Sequence, residues 1–119
     1  MSEFSAPDYL GHIRRAAVEA SSFVDRMDKA AFMADLRTQK AVVMNLLIVG
    51  EAATRLMDRH PNFAAQHPGV PWHSMRGMRN RLAHGYFDIN LDVVWDTVQT
   101  ALPELLNQLP AIDLGTGAG

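Results

Sequence analysis

One short stretch of this chain gathers the side chains best suited to acid–base chemistry on a phosphodiester. It reads Arg79-Asn80-Arg81-Leu82-Ala83-His84-Gly85-Tyr86. Histidine titrates near neutrality and serves as base or acid. Arginine presents a planar fork of donors that matches phosphate oxygens. Cleaving RNA without a metal needs little more. A base takes the ribose 2′-hydroxyl proton, an acid protonates the leaving 5′-oxygen, and a cation stabilises the charge that builds on phosphate. On this reading Arg79 supplies the cation and His84 the proton transfer. Asn80 orients the imidazole or holds a phosphate oxygen. Arg76 and Arg81 add RNA-binding charge, so that three arginines fall within six positions. The plainer alternative is a histidine capping a helix end and arginines on a solvated face.

These residues need a helix to position them. One is expected from just after Pro71 to Ala83 or His84, with Gly85 placed to stop it. Arg76, Asn80 and His84 lie at i, i+4 and i+8 and line one face of it. Arg79 lies five residues before His84, about 140° around an ideal helix. Joining the two at one site therefore requires distortion near Gly85, the reach of the arginine, or a second subunit.

The rest of the chain also reads as helix. Ser5-Ala6-Pro7-Asp8 has a capping residue, a first-turn proline and an acid three places on. Leu10, Ile13, Ala17, Ala20, Val24 and Met27 follow at helical spacing, which predicts a helix over 7–27. Asp28 caps a short helical turn through Ala30 to Leu36. A long helix follows over 38–59, with a wide apolar stripe and Gly50 inside it. A glycine there costs roughly 1 kcal/mol relative to alanine, which argues for a packing reason such as the close approach of another helix. Residues 60–71 hold three prolines and Gly69 and read as a loop with a short turn near Phe63. Asn90 caps the last helix, which Pro103 should kink or split. The expected architecture is all-α, an antiparallel bundle of four to five helices in one domain over 1–112, with a flexible tail over 113–119.

Bulk properties narrow the function classes. The chain has 119 residues, 48% hydrophobic and 20% charged, and a net charge of −2. A nucleic-acid site must then be a local patch and not a basic surface. There is no cysteine, hence no disulfide framework or thiolate site. No signal peptide or membrane span is read, and a cytoplasmic location is expected. Neither metal nor cofactor is expected, because the spacing of His60, His67 and His73 matches no usual zinc pattern. Glu51, a carboxylate in the wide apolar stripe, is expected to hold Arg79, His84 or a partner-subunit arginine if it is buried, or else to face solvent. Trp72 and Trp95 read as core more readily than as base-stacking platforms.

The stretch from Arg79 to Tyr86 resembles the arginine–four residues–histidine–any–tyrosine motif of HEPN-domain toxins of the HepT type. Residues 41–53 (AVVMNLLIVGEAA), Val70-Pro71-Trp72, Gly77-Met78-Arg79-Asn80 and Asp92-Val93-Val94-Trp95-Asp96 are similar to that family in the same order. The likeness runs from about Tyr9 to Leu109. It implies a HEPN helical bundle whose two copies face each other, with Arg79 and His84 lining a shared cleft. It also implies metal-independent endoribonuclease activity, as the toxin of a type II or VII-like toxin–antitoxin pair. The partner would be a nucleotidyltransferase-fold antitoxin that can transfer adenylate to Tyr86. The alternative is a non-catalytic helical module that docks such a nucleotidyltransferase.

Overall fold

The computed structural model describes residues 4–110, all of whose regular structure is helical. The expected tail over 113–119 lies outside the described residues. The central element is α3 (Leu36–Arg59), 24 residues long. On it pack α1 (Ala6–Phe23) and α5 (Trp72–His84). The short α2 (Lys29–Met33) and α4 (Pro61–Gln66) connect these three. The C-terminal part comprises α6 (Leu91–Asp96), a π-helical turn over Thr97–Ala101 and α7 (Leu102–Gln108), and it leans on α1.

Local chemistry sets most of the boundaries. The Ser5 hydroxyl accepts from Asp8 N at 3.1 Å while the Asp8 carboxylate accepts from Ser5 N at 2.9 Å, a reciprocal cap that satisfies two end donors of α1. Asp28 caps α2 and Asn90 caps α6 in one direction only, each accepting from the backbone N–H of the third residue on. Asp35 caps α3, so that helix begins at Leu36, two residues earlier than the stripe alone suggests.

Two further boundaries depart from the sequence reading, and a third takes an unexpected form. The first helix stops at Phe23 and not near Met27. Arg26 has φ 68°, a left-handed conformation that a continuing right-handed helix does not admit. The segment expected to be a loop begins with α4, whose first residue is Pro61. A proline is well placed there because the missing amide hydrogen would be unpaired anyway. Pro103 marks the expected irregularity, but as a widened π turn just before it. That widening relieves the clash between a proline ring and the carbonyl four residues back.

The core runs along both faces of α3. Ile13, Ala17 and Ala20 of α1, Val42, Val49, Ala53 and Leu56 of α3, and Phe32 of α2 have no exposed surface. Phe32 also meets Trp95 with ring centroids 5.3 Å apart. Trp72 is buried too, and its indole N–H donates to the carbonyls of Ala64 and His67. Burial with a satisfied N–H is the ordinary condition of a core tryptophan. No helix among the described residues is long and apolar enough to cross a membrane.

Candidate active site

The candidate site is built on the crossing of α3 and α5. Two helix backbones approach closely only where one offers no side chain, and Gly50 of α3 provides that place. A Cβ built on Gly50 would lie 2.3 Å from Arg79 Cβ and 2.7 Å from the Met75 carbonyl oxygen. The glycine thus seats Arg79 directly on α3, which is the packing reason its mid-helix position called for.

From that seat the Arg79 side chain turns along α3. Its Nη1 donates to Glu51 Oε1 at 3.0 Å, and its Nη2 donates to Thr54 Oγ1 at 3.3 Å. Thr54 is buried, and its hydroxyl donates in turn to the Gly50 carbonyl at 2.8 Å. The Glu51 carboxylate is shared, its second oxygen accepting from Arg55 Nε at 2.7 Å. That hydrogen bond and the charge beside it hold the Arg55 guanidinium above its ordinary arginine value. Side-chain exposure is 27% for Arg79 and 42% for Glu51, so the pair opens to solvent on one side. Arg79 is therefore a cation fixed at two points, with guanidinium donors to spare for a phosphate.

Glu51 is thus held by Arg79 and Arg55 together, one of the partners expected for it. Thr54 was not singled out from sequence. The only trace it leaves there is its place four residues after Gly50, one helical turn along the same face.

His84 is the last residue of α5 and is exposed. Helix geometry holds through it, with Gly85 N–H donating to the Arg81 carbonyl at 2.9 Å. Gly85 ends the helix at φ −112° and not in the left-handed conformation that glycine caps favour. Between Arg79 and His84 the helix is unbroken, so distortion does not join them. The arginine does not reach round either, because it is engaged on α3. Within one copy, Arg79 and His84 point to different sides of α5.

The other candidates divide between these sides. Asn80 is exposed, one turn before His84 on its face. Arg76 is half-buried and donates to Asp58 Oδ1 at 2.8 Å, which neutralises part of its charge. Arg81 is exposed. Tyr86 opens a short 3₁₀ turn, Tyr86–Asp88, directly after the helix. Of the loop histidines, His60 sits 3.0 Å through Nε2 from the Phe4 carbonyl, and His67 lies against Phe63 with ring centroids 4.5 Å apart.

Comparison with other proteins places the chain in a known group. The family described as ribonuclease HepT-like matches residues 13–112. A protein of Thermococcus cleftensis named a probable ribonuclease HepT is 37% identical over 102 residues, covering 85% of this chain and 89% of its own. A protein of Methanocaldococcus jannaschii, provisionally named an RNase, is 36% identical over 90 residues, covering 76% and 72%. Another so named, from Caldanaerobacter subterraneus subsp. tengcongensis, is 34% identical over 104 residues, covering 87% and 90%. No solved structure matches the chain.

Proposed function

This chain belongs to the HepT-like ribonuclease family and is a ribonuclease, and we propose that it cuts RNA internally, without a metal, in a cleft between two copies of itself. Arg79 of one copy binds the scissile phosphate while His84 of the other moves the proton. The 2′-oxygen loses its proton to a base and attacks phosphorus, and the bond from phosphorus to the 5′-oxygen breaks. The leaving oxygen takes a proton from an acid, and the products are a 2′,3′-cyclic phosphate and a 5′-hydroxyl. His84 serves both steps in turn, taking the proton as base and returning it as acid, and the two-fold dimer carries two such Arg79–His84 sites. Asn80, on the His84 face, orients the ring or holds a phosphate oxygen. Glu51 fixes Arg79, and Arg76 and Arg81 add attraction for RNA.

The observation that carries this reading is the separation of Arg79 from His84 on one unbroken helix. A single copy offers the phosphate-binding cation and the proton-transfer group to different sides. A second copy, related by a two-fold axis, can reunite them. It also doubles the arginines in a protein whose total charge is negative.

The same reading makes the protein the toxin of a pair. Its antitoxin would be a nucleotidyltransferase that adenylates Tyr86. An adenylate there would add negative charge and bulk two residues after His84 in the chain, opposing the approach of RNA phosphate.

The test incubates purified protein with RNA in the presence of a chelator, beside the His84→Ala variant. Cleavage by the parent and loss of about 10²–10⁴ in rate by the variant is the expected result. Equal cleavage by both removes His84 from the mechanism. A monomer in sedimentation at the working concentration contradicts the shared cleft.

A further inference from the structure

Past the end of α5 the chain turns back towards α3 and borders an open pocket of about 320 Å³. Leu46, Leu82 and Val94 line its apolar part, and the polar residues Asp88 and Asn90 line it as well. Gly85, the residue after His84 in the chain, also lines it. We propose that this pocket is a subsite for a guanine base of the RNA substrate, and that it selects the nucleotide beside the bond to be cut. The proposal rests on the ribonuclease reading above and adds to it the choice of base.

Three observations support a base as the occupant. The size is that of a small-ligand pocket, which begins at about 300 Å³. The walls are aliphatic and can cover the flat faces of a base, as apolar pocket walls cover other ring ligands. The polar groups stand at one end of the chain's turn, on the short 3₁₀ turn and the cap of α6.

The two rim groups decide which base. Asp88 carries a carboxylate, which accepts hydrogen bonds from two neighbouring N–H groups. Asn90 has its side-chain oxygen committed to Val93 N at 3.2 Å, which leaves its amide NH₂ to donate. Acceptors on one residue and donors on the other match the edge of guanine, which has adjacent N1–H and N2–H donors beside the O6 acceptor. Adenine, cytosine and uracil present no such set.

The experiment titrates the full chain with the four nucleoside 3′-monophosphates and follows backbone amide resonances, which requires no cleavage. Guanosine 3′-monophosphate should shift the amides of Leu82, Gly85 and Val94 and bind about tenfold tighter than the other three, the scale of one good bidentate base contact. Asp88 is exposed, so Asp88→Asn should fold normally and lose that preference. Equal binding of all four, binding elsewhere, no binding, or a preference that survives Asp88→Asn each overturns the proposal. The ribonuclease reading fails by a different result, undiminished RNA cleavage by His84→Ala, and the titration is unaffected by that outcome.

Discussion

Gly50 and Arg79 touch through backbone and Cβ, with no room for a methyl group between them: a Cβ on Gly50 would come 2.3 Å from that of Arg79. The contact fixes where α5 crosses α3, and so where the Arg79 guanidinium can meet Glu51 and Thr54. Neither nearby atom, the Arg79 Cβ nor the Met75 carbonyl oxygen, can rotate out of the way.

Gly50→Ala therefore sets two effects against each other. Alanine gains roughly 1 kcal/mol of helix propensity over glycine. Forcing a methyl into a packed backbone contact costs about 1–3 kcal/mol, and more when the neighbours are rigid. The net expectation is a less stable protein with α5 displaced, measured as a lower denaturant midpoint, and weaker RNA cleavage through a misplaced Arg79. A midpoint at or above the parent's would show that α5 yields easily.

Thr54 acts on Arg79 through a single hydroxyl. Thr54→Val keeps the shape and removes the acceptor for Nη2, whereas Thr54→Ser keeps the hydroxyl. The valine variant should lose about tenfold in kcat/KM for RNA, the scale of one hydrogen bond to a charged group, and serine should restore most of it. The Arg79 Nε–H resonance reports the same loss without catalysis, broadening or averaging in the valine variant alone. Parallel losses in both variants would assign Thr54 a packing role.

Acid should weaken the fold through the helix caps. Backbone hydrogen bonds from Ser5 to Asp8 and from Thr38 to Asp35 hold both carboxyls below their ordinary value of 3.8. Groups lowered in the folded state contribute stability above that ordinary value and lose it as pH falls through the folded value. Thermal unfolding should accordingly be flat near neutrality and fall off in the acid range below 3.8. Asp35→Asn retains a capping acceptor and should make that fall shallower. An unchanged acid profile in the variant would remove Asp35 from the response.

Much of the fold was legible because it rests on local chemistry. Ser5 with Asp8, Asp28 and Asn90 are caps that the sequence displays within four residues, and Pro103 announces an irregularity wherever it lies in a helix. Gly50 was legible as an anomaly, since a glycine inside an apolar stripe needs a reason. The bond from Thr54 to Arg79 was not, because it joins residues 25 apart in sequence that come together only when α5 lies on α3. The end of α1 was missed for a related reason. The apolar spacing continues to Met27, but the backbone turns at Arg26, whose side chain does not signal it. The candidate site itself was legible in its residue types, and its main difficulty, the angle between Arg79 and His84, was visible from helix geometry. What only the structure supplies is that the helix stays regular and that Arg79 faces α3.

The central claim is that Arg79 and His84 act on one phosphate from two different copies. The most direct measurement mixes the variants Arg79→Ala and His84→Ala, each inactive alone, and allows subunits to exchange. Random pairing of a two-fold dimer makes half the dimers mixed, and each mixed dimer carries one intact site of two. The mixture should thus recover about a quarter of the parent's RNA cleavage. A mixture as inactive as its components, with both variants folded and exchanging, would contradict the account.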